Sequence, residues 1–294
     1  MEFVGIGDIH FDGELSSLIP NSELVIASEI NKILEWARKR GIVNIFLYGD
    51  VCHKPRMSYE SMKVFLKILK SSKDLRFYVI LGNHDKFASE SKAGHSLELL
   101  NYMRKFKILR NVIIFDKVED IKIDGVRVRF LPWPATNFSK TTLNVAHIET
   151  YGSKANSGRS FLDDKLHKGK ELAVIGHLHG RQKIRNNYFS GTPFQNNFGE
   201  SPDKFFHHGI FNSIDDYEIK CIPCKPEYTL LNVVIRSNKD ISNIPNDPKT
   251  LVKLIIEDGS DVDASRWSNL PNVVRVSPYK SNAELTNALV EDLQ

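Results

Sequence analysis

Six of the ten histidines in this 294-residue chain fall in short polar motifs. The motifs are Asp8-x-His10, Gly49-Asp50-x-x-His53, Gly82-Asn83-His84-Asp85, a lone His147, and Gly176-His177-Leu178-His179. Carboxylate, amide oxygen and neutral imidazole are hard or borderline donors, so the set suits Mn²⁺, Fe²⁺, Zn²⁺ or Mg²⁺ and needs no thiolate. Seven or eight such groups are too many for one ion, so two ions are implied. Ions roughly 3.5–4 Å apart can clamp the attacking and leaving oxygens of an in-line displacement at phosphorus. One carboxylate must bridge them, and a hydroxide between them is the natural nucleophile. Singly, each motif has an ordinary explanation. Gly-Asp and Gly-Asn are turn chemistry, and a lone histidine is usually a satisfied one. The force lies in the whole series in this order.

The motifs sit where strands should end. Residues 3–8, 43–48 and 76–81 read as buried apolar strands, each running into a motif. Between them, residues 23–40 place Ile26, Ile30, Ile33, Leu34 and Ala37 on one helical face, and a second helix starts near Ser58. This β-α-β-α-β order implies parallel strands covered by helices. Ligands gather at the carboxyl ends of such strands. After a helix near 95–105 come strands at 112–115, 118–123, 126–131, 143–147 and 171–175, the last two running into histidine. A hairpin follows at 205–213 and 217–222. Pro223 and Pro226 mark a boundary near residue 225. The reading is α/β, with domains 1–225 and 226–294. The second is small, with strands at 228–235, 251–257 and 272–277, a short helix near 262–268 and a last helix over about Ser281 to Leu293.

Composition sets outer limits. The stretch Ile42 to Tyr48, mostly apolar but interrupted by Asn44, is too short to span a bilayer, and Met1-Glu2-Phe3-Val4 lacks the start of a secretory signal. A cytoplasmic protein is expected, in the host cytoplasm if the chain is phage-encoded, with no membrane partner. Cys52, Cys221 and Cys224 make no disulfide framework, and the Cys221/Cys224 pair lacks the second half of a zinc site. Net charge is +4, a weak pointer to an anionic partner. Arg181, Lys183 and Arg185, directly after the last motif, are the candidate phosphate contacts. Arg104, Lys105, Lys107 and Arg110 read as a solvated face. His95, His167, His207 and His208 are given structural roles; the last two adjoin on a strand and must face opposite ways.

The motif series resembles the calcineurin-like metallophosphoesterases. More narrowly, Gly49-Asp50-Val51-Cys52-His53, together with Ser190-Gly191-Thr192-Pro193 and Phe198-Gly199-Glu200, is similar to the SbcD nucleases of double-strand-break repair. Ala146-His147-Ile148-Glu149 resembles the phage recombination endonuclease subunit of the same family. The resemblance covers about residues 1–222. It implies a four-layer α/β/β/α sandwich with a small C-terminal capping domain, and two divalent ions, Mn²⁺ foremost. Asp8, His10, Asp50 and His179 would hold the first ion. Asn83, His147 and His177 would complete the second, with Asp50 bridging. His84 would protonate the leaving oxygen with Asp85 orienting it, and His53 would touch the substrate phosphate. No expected ligand is missing.

The resemblance also implies partners: DNA, a coiled-coil ATPase of the SbcC kind docking on a helix after the capping domain, and a symmetric dimer through helices in the region of Met62, Phe65, Leu66, Leu69, Leu97, Leu100 and Met103. The expected activity is metal-dependent DNA exo/endonucleolytic cleavage. Two rivals stay open: a phosphatase or small-molecule phosphodiesterase with the same metal site, and a non-catalytic scaffold, which should have lost ligands.

Overall fold

A computed structural model describes residues 1–87, 94–257, 262 and 270–278. They fall in two compact units, Met1–Pro226 and the chain from Glu227. In the first unit β1 (Glu2–Ile6), β2 (Asn44–Leu47), β3 (Arg76–Ile80) and β4 (Val112–Phe115) lie parallel, side by side. The antiparallel hairpin of β11 (Phe205–Ser213) and β12 (Asp216–Pro223) extends that sheet beyond β1. The second sheet runs β5 (Glu119–Ile123), β6 (Val126–Leu131), β7 (Leu143–His147), β8 (Ala173–Gly176), β10 (Asn187–Phe189) and β9 (Gln182–Ile184). β6, β7, β8 and β10 are parallel, and β5 and β9 are antiparallel edges.

The sheets pack face to face because alternate side chains of both are apolar. Phe3, Phe46, Tyr78 and Phe115 of one sheet meet Val128, Phe130, Val145 and Val174 of the other in a single buried cluster. Phe130 joins them directly, stacked on Phe115 at 4.0 Å between ring centroids and set edge-on to Phe46 at 5.6 Å. On the first sheet's other side lies α2 (Ser22–Arg38), whose Trp36 packs against Phe206 of β11. α3 (Tyr59–Ser71) is capped by Ser58, which accepts from the Ser61 amide at 3.2 Å. Asp12 accepts from the Ser58 amide and from the hydroxyls of Ser58 and Ser61, tying the loop after β1 to the start of this helix.

The α/β sandwich expected from the sequence is the fold. One layer is built differently. On the outer face of the second sheet Leu131, Ala146, Ala173, Ile175 and Phe189 are covered by loop residues, among them Trp133, Phe138 and Phe161, and no helix is found between β6 and β11 among the described residues. The connecting segments carry Pro, Gly, Ser and Asn but no apolar stripe at helical spacing. The sequence reading also missed α1 (Leu15–Leu18), β9 and β10, which are too short to carry a period.

The second unit holds β13 (Thr229–Ile235), β14 (Thr250–Ile256) and β15 (Val273–Pro278), all parallel, with Val233, Ile235, Val252 and Leu254 buried between them and their cover. The expected helices near 262–268 and 281–293 lie outside the described residues, apart from Val262.

In the stripe expected to pair two copies, Phe65, Leu69, Leu97 and Leu100 are core. The exposed apolar side chains are their neighbours Tyr59, Leu99, Tyr102, Phe106 and Ile108, on and beside α3 and α4 (Glu98–Lys105).

Phe130→Ala should remove the ring that joins the sheets and leave a cavity, at a cost of about 3–5 kcal/mol. Denaturant unfolding monitored by circular dichroism checks this; a loss below about 1 kcal/mol would show that the sheets do not depend on it.

Candidate metal centre

Every motif leaves the end of a strand of the two facing sheets. Asp8 and His10 follow β1, Asp50 and His53 follow β2, and Asn83 and His84 follow β3. His147 is the last residue of β7, and His177 and His179 follow β8. The turns that carry them are unusual: Asp8 (φ 47°), His10 (φ 51°), Asp50 (φ 49°) and His177 (φ 81°) occupy the left-handed region. Non-glycine residues seldom sit there, and such strain concentrates at functional sites. Two glycines permit the crowding. A Cβ on Gly49 would come 2.5 Å from His147 Nδ1, and one on Gly82 would come 2.0 Å from Asp50 Oδ1.

Three overlapping donor groups result: Asp8/His10/His179 and Asp50/His147/His177, and beside the first of these His10/His53/His84. His10 Nε2 and His179 Nε2 face each other at 3.1 Å. Asn83 Oδ1 lies 3.1 Å from His147 Nε2 and 3.0 Å from His177 Nδ1. Asp50 stands between the groups: its Oδ2 is 3.7 Å from His10 Nε2 and 3.2 Å from His147 Nε2, while its Oδ1 accepts from the His84 amide at 2.9 Å. The arrangement fits divalent cations. Asp8 Oδ2 is buried with no hydrogen-bond partner, a costly state for a carboxylate oxygen unless a cation meets it. His147 uses Nδ1 on the Tyr48 carbonyl at 2.6 Å, and His179 uses Nδ1 on Glu200 Oε1 at 2.7 Å, so each keeps its Nε2 lone pair for the site.

The electrostatics of the bare site are those of crowded opposite charges. Burial and the nearby Asp50 raise the Asp8 carboxyl against the pull of His147 and His179. Burial also pushes Asp50 upward, but His147 and His10 outweigh it and hold Asp50 well below the carboxylate range. Burial pulls His147 down, yet Asp50 and Asp8 carry it up to about 9, while burial keeps His10 well below its ordinary value. Two dications would take over the protons' role and restore neutral imidazoles.

His53 and His84 stand at the same place. Their rings stack at 5.2 Å, and His53 Nδ1 is 3.3 Å from His10 Nδ1. Asp85 does not orient His84. It is wholly buried, and its carboxylate accepts from the Cys52 amide at 2.9 Å and the Gly82 amide at 2.8 Å, pinning two motif turns together. The His84 ring is instead held through Nδ1 by the His53 carbonyl at 2.8 Å. The Asp85 carboxylate is taken up by two backbone amides, which adjacency in sequence does not reveal. Arg181 and Lys183 line a groove between the β9 and β12 edges. Arg185 does not; it bonds the Lys168 carbonyl.

Sequence reasoning gave no role to two carboxylates. Glu149 Oε2 lies 3.3 Å from His177 Nε2, and Glu200 holds His179. The segment containing Glu200 also supplies Asn196, whose amide bonds the Asp8 carbonyl at 3.1 Å. The available signal was a run of polar residues, Thr192, Gln195, Asn196 and Glu200, in a stretch otherwise apolar enough to be buried.

The sequence profile of the calcineurin-like phosphoesterases matches residues 1–219. The chain belongs to that family. Divalent metal use and phosphoester hydrolysis are the family's chemistry, and the donor groups above are placed for it. Two viral proteins are similar. "Putative phosphoesterase 244L" of Invertebrate iridescent virus 6 is 29% identical over 190 residues, covering 58% of this chain and 65% of the relative. "Putative phosphoesterase 078R" of Invertebrate iridescent virus 3 is 25% identical over 259 residues, covering 81% and 72%. The match thus spans just under two thirds of the first relative's length. No helix among the described residues is long and apolar enough to cross a membrane.

Gly82→Ala should push Asp50 out of place and lower the bound metal by at least one ion per chain, with the fold retained by circular dichroism. Metal analysis by plasma mass spectrometry after dialysis checks it. A variant that keeps the native metal content would show that the Gly82–Asp50 approach does not set the site.

Proposed function

We propose that this phosphoesterase is a DNA exo/endonuclease with Mn²⁺ as its working metal, acting in double-strand-break repair or recombination as the nuclease subunit of an SbcCD-like complex. Asp8, His10, Asp50 and His179 hold one ion, and Asn83, His147 and His177, sharing Asp50, hold the other. Bound divalent ions supply positive charge that offsets the charge developing on the phosphoryl oxygens, and they activate water. His84 gives the proton to the leaving oxygen, its Nδ1 occupied by the His53 carbonyl so that the other nitrogen is free to face the substrate. His53, half-buried beside it, contacts the phosphate.

The observation that favours a polynucleotide over a small phosphoester is the groove next to the last motif. It has a volume of about 680 Å³ and is lined by Arg181, Lys183, Lys220, Tyr188, Tyr217 and Glu218. Arg181 is held 4.3 Å over the Phe205 ring and Lys183 4.6 Å over the Tyr188 ring, so both cations are positioned in advance. Cations track a phosphate backbone without reading sequence, and tyrosine faces stack bases. A small diester needs neither.

The surface of Tyr59, Leu99, Tyr102, Phe106 and Ile108 is proposed to pair two copies of the chain. The ATPase partner and the capping role of the second unit rest on the SbcD resemblance.

The deciding experiment compares cleavage of single- and double-stranded DNA with that of bis(p-nitrophenyl) phosphate, in Mn²⁺ and in Mg²⁺. Native protein should cut DNA in Mn²⁺. An Arg181→Glu/Lys183→Glu variant should raise KM for DNA about tenfold or more and leave turnover of the small diester unchanged. His84→Ala should slow both substrates by roughly 10²–10⁴-fold with metal retained. Hydrolysis of the small diester without DNA cleavage would sink the nuclease reading.

Light scattering should show a dimer, and Leu99→Asp or Ile108→Asp should yield a folded monomer. Phe65 and Leu97 are unsuitable for this test because they are core. A native monomer at high micromolar concentration contradicts the pairing.

A further inference from the structure

Glu200 is a carboxylate with only 5% of its surface exposed, and it sits directly behind a metal-site histidine. Its Oε1 accepts from His179 Nδ1 at 2.7 Å and from Asn197 Nδ2 at 3.1 Å. Its Oε2 accepts from the Thr192 hydroxyl at 3.1 Å, from the Asn196 amide at 3.1 Å and from the Lys204 ammonium. Lys204 is itself 3% exposed and also donates to Thr192 Oγ1 at 2.7 Å. This is more hydrogen bonding than an N-terminal cap or a surface ion pair requires. Burying a lysine and a glutamate together seldom adds stability over an apolar pair of similar volume. A pair buried for packing alone would also have no reason to spend one carboxylate oxygen on an imidazole whose other nitrogen faces Asp8 and His10.

We propose that Glu200, held in place by Lys204 and Thr192, is a positioning residue that fixes the His179 ring with Nδ1 protonated and Nε2 turned to the metal centre. The inference rests on the metal-centre reading above. His147 achieves the same end with the Tyr48 carbonyl; His179 uses a full negative charge, which also makes its Nε2 a stronger donor. Such outer partners of metal-bound histidines typically govern 10–100-fold in metal affinity. Lys204 compensates the buried charge, so the Glu200/Lys204 pair adds no net charge to a site already crowded with carboxylates.

Calorimetric titration of the full chain with Mn²⁺ tests this, alongside the absorption spectrum of the Co²⁺-loaded protein. Native protein should bind two ions. Glu200→Gln should bind one of them about 10–100-fold more weakly and the other unchanged, with an altered Co²⁺ spectrum. Should the single variant fail to fold, Glu200→Gln/Lys204→Met removes both buried charges and should show the same selective loss. Nuclear magnetic resonance of ¹⁵N-histidine in the native Zn²⁺-loaded chain gives a readout independent of any variant: His179 should carry its proton on Nδ1. Two native affinities in the variant overturn the role of Glu200 while leaving the metal centre intact; a His179 protonated on Nε2 in the loaded chain overturns both the role of Glu200 and the place of His179 among the metal ligands. A native chain that binds no ion overturns the role of Glu200 and the metal centre.

Discussion

Two carboxylates, Asp8 and Asp50, are buried side by side at the point where two sheets meet, and most of this molecule's unusual features follow from keeping them there. Each would be costly alone in a low-dielectric setting, and together they repel. The chain surrounds them with imidazoles rather than with lysine or arginine. Imidazole can surrender its proton and keep a lone pair, so the same ring that neutralises a carboxylate in the bare protein becomes a ligand when a cation arrives. The unpartnered Asp8 Oδ2 marks where this compensation is incomplete without one.

Holding that cluster demands rigidity. Four of the candidate ligands, Asp8, His10, Asp50 and His177, sit in the left-handed region, and glycines let the turns touch. The strain is borne by what lies beneath: four parallel strands in each sheet, locked by the aromatic layer of Phe46, Phe115 and Phe130. Asp85 fastens the turns after β2 and β3 to one another from below. Above them the polar segment from Ser190 to Glu200 reaches back to the Asp8 carbonyl and to His179. The groove lined by Arg181, Lys183 and Lys220 opens between sheet edges rather than within this packed layer, so its charges can vary without disturbing the ligands.

The candidate donors that the structure gathers were legible in sequence because short polar motifs after apolar strands have few structural uses, and the fold confines strand ends to one rim. Strands with a clear period and long amphipathic helices were legible for the same reason. What escaped notice depends on contacts distant in sequence. Glu200 meets His179 across 21 positions, and the polar run around it does not say which distant side chain it reaches. Phe65 and Leu97 looked like an interface stripe; helical spacing shows which residues share a face, but not which part of a broad apolar face the core takes. Asp85 was assigned to its sequence neighbour, whereas its carboxylate bonds the amides of Cys52 and Gly82. The loops over the second sheet carry no periodicity and could not be read as a layer at all.

On this account the buried carboxylates hold two cations with Asp50 between them. Anomalous diffraction from crystals soaked in Mn²⁺ tests it most directly. Two peaks should appear, one among Asp8, His10 and His179 and the other among Asn83, His147 and His177, separated by roughly 3.5–4 Å with Asp50 reaching both. A single peak, or peaks that Asp50 does not touch, would contradict it.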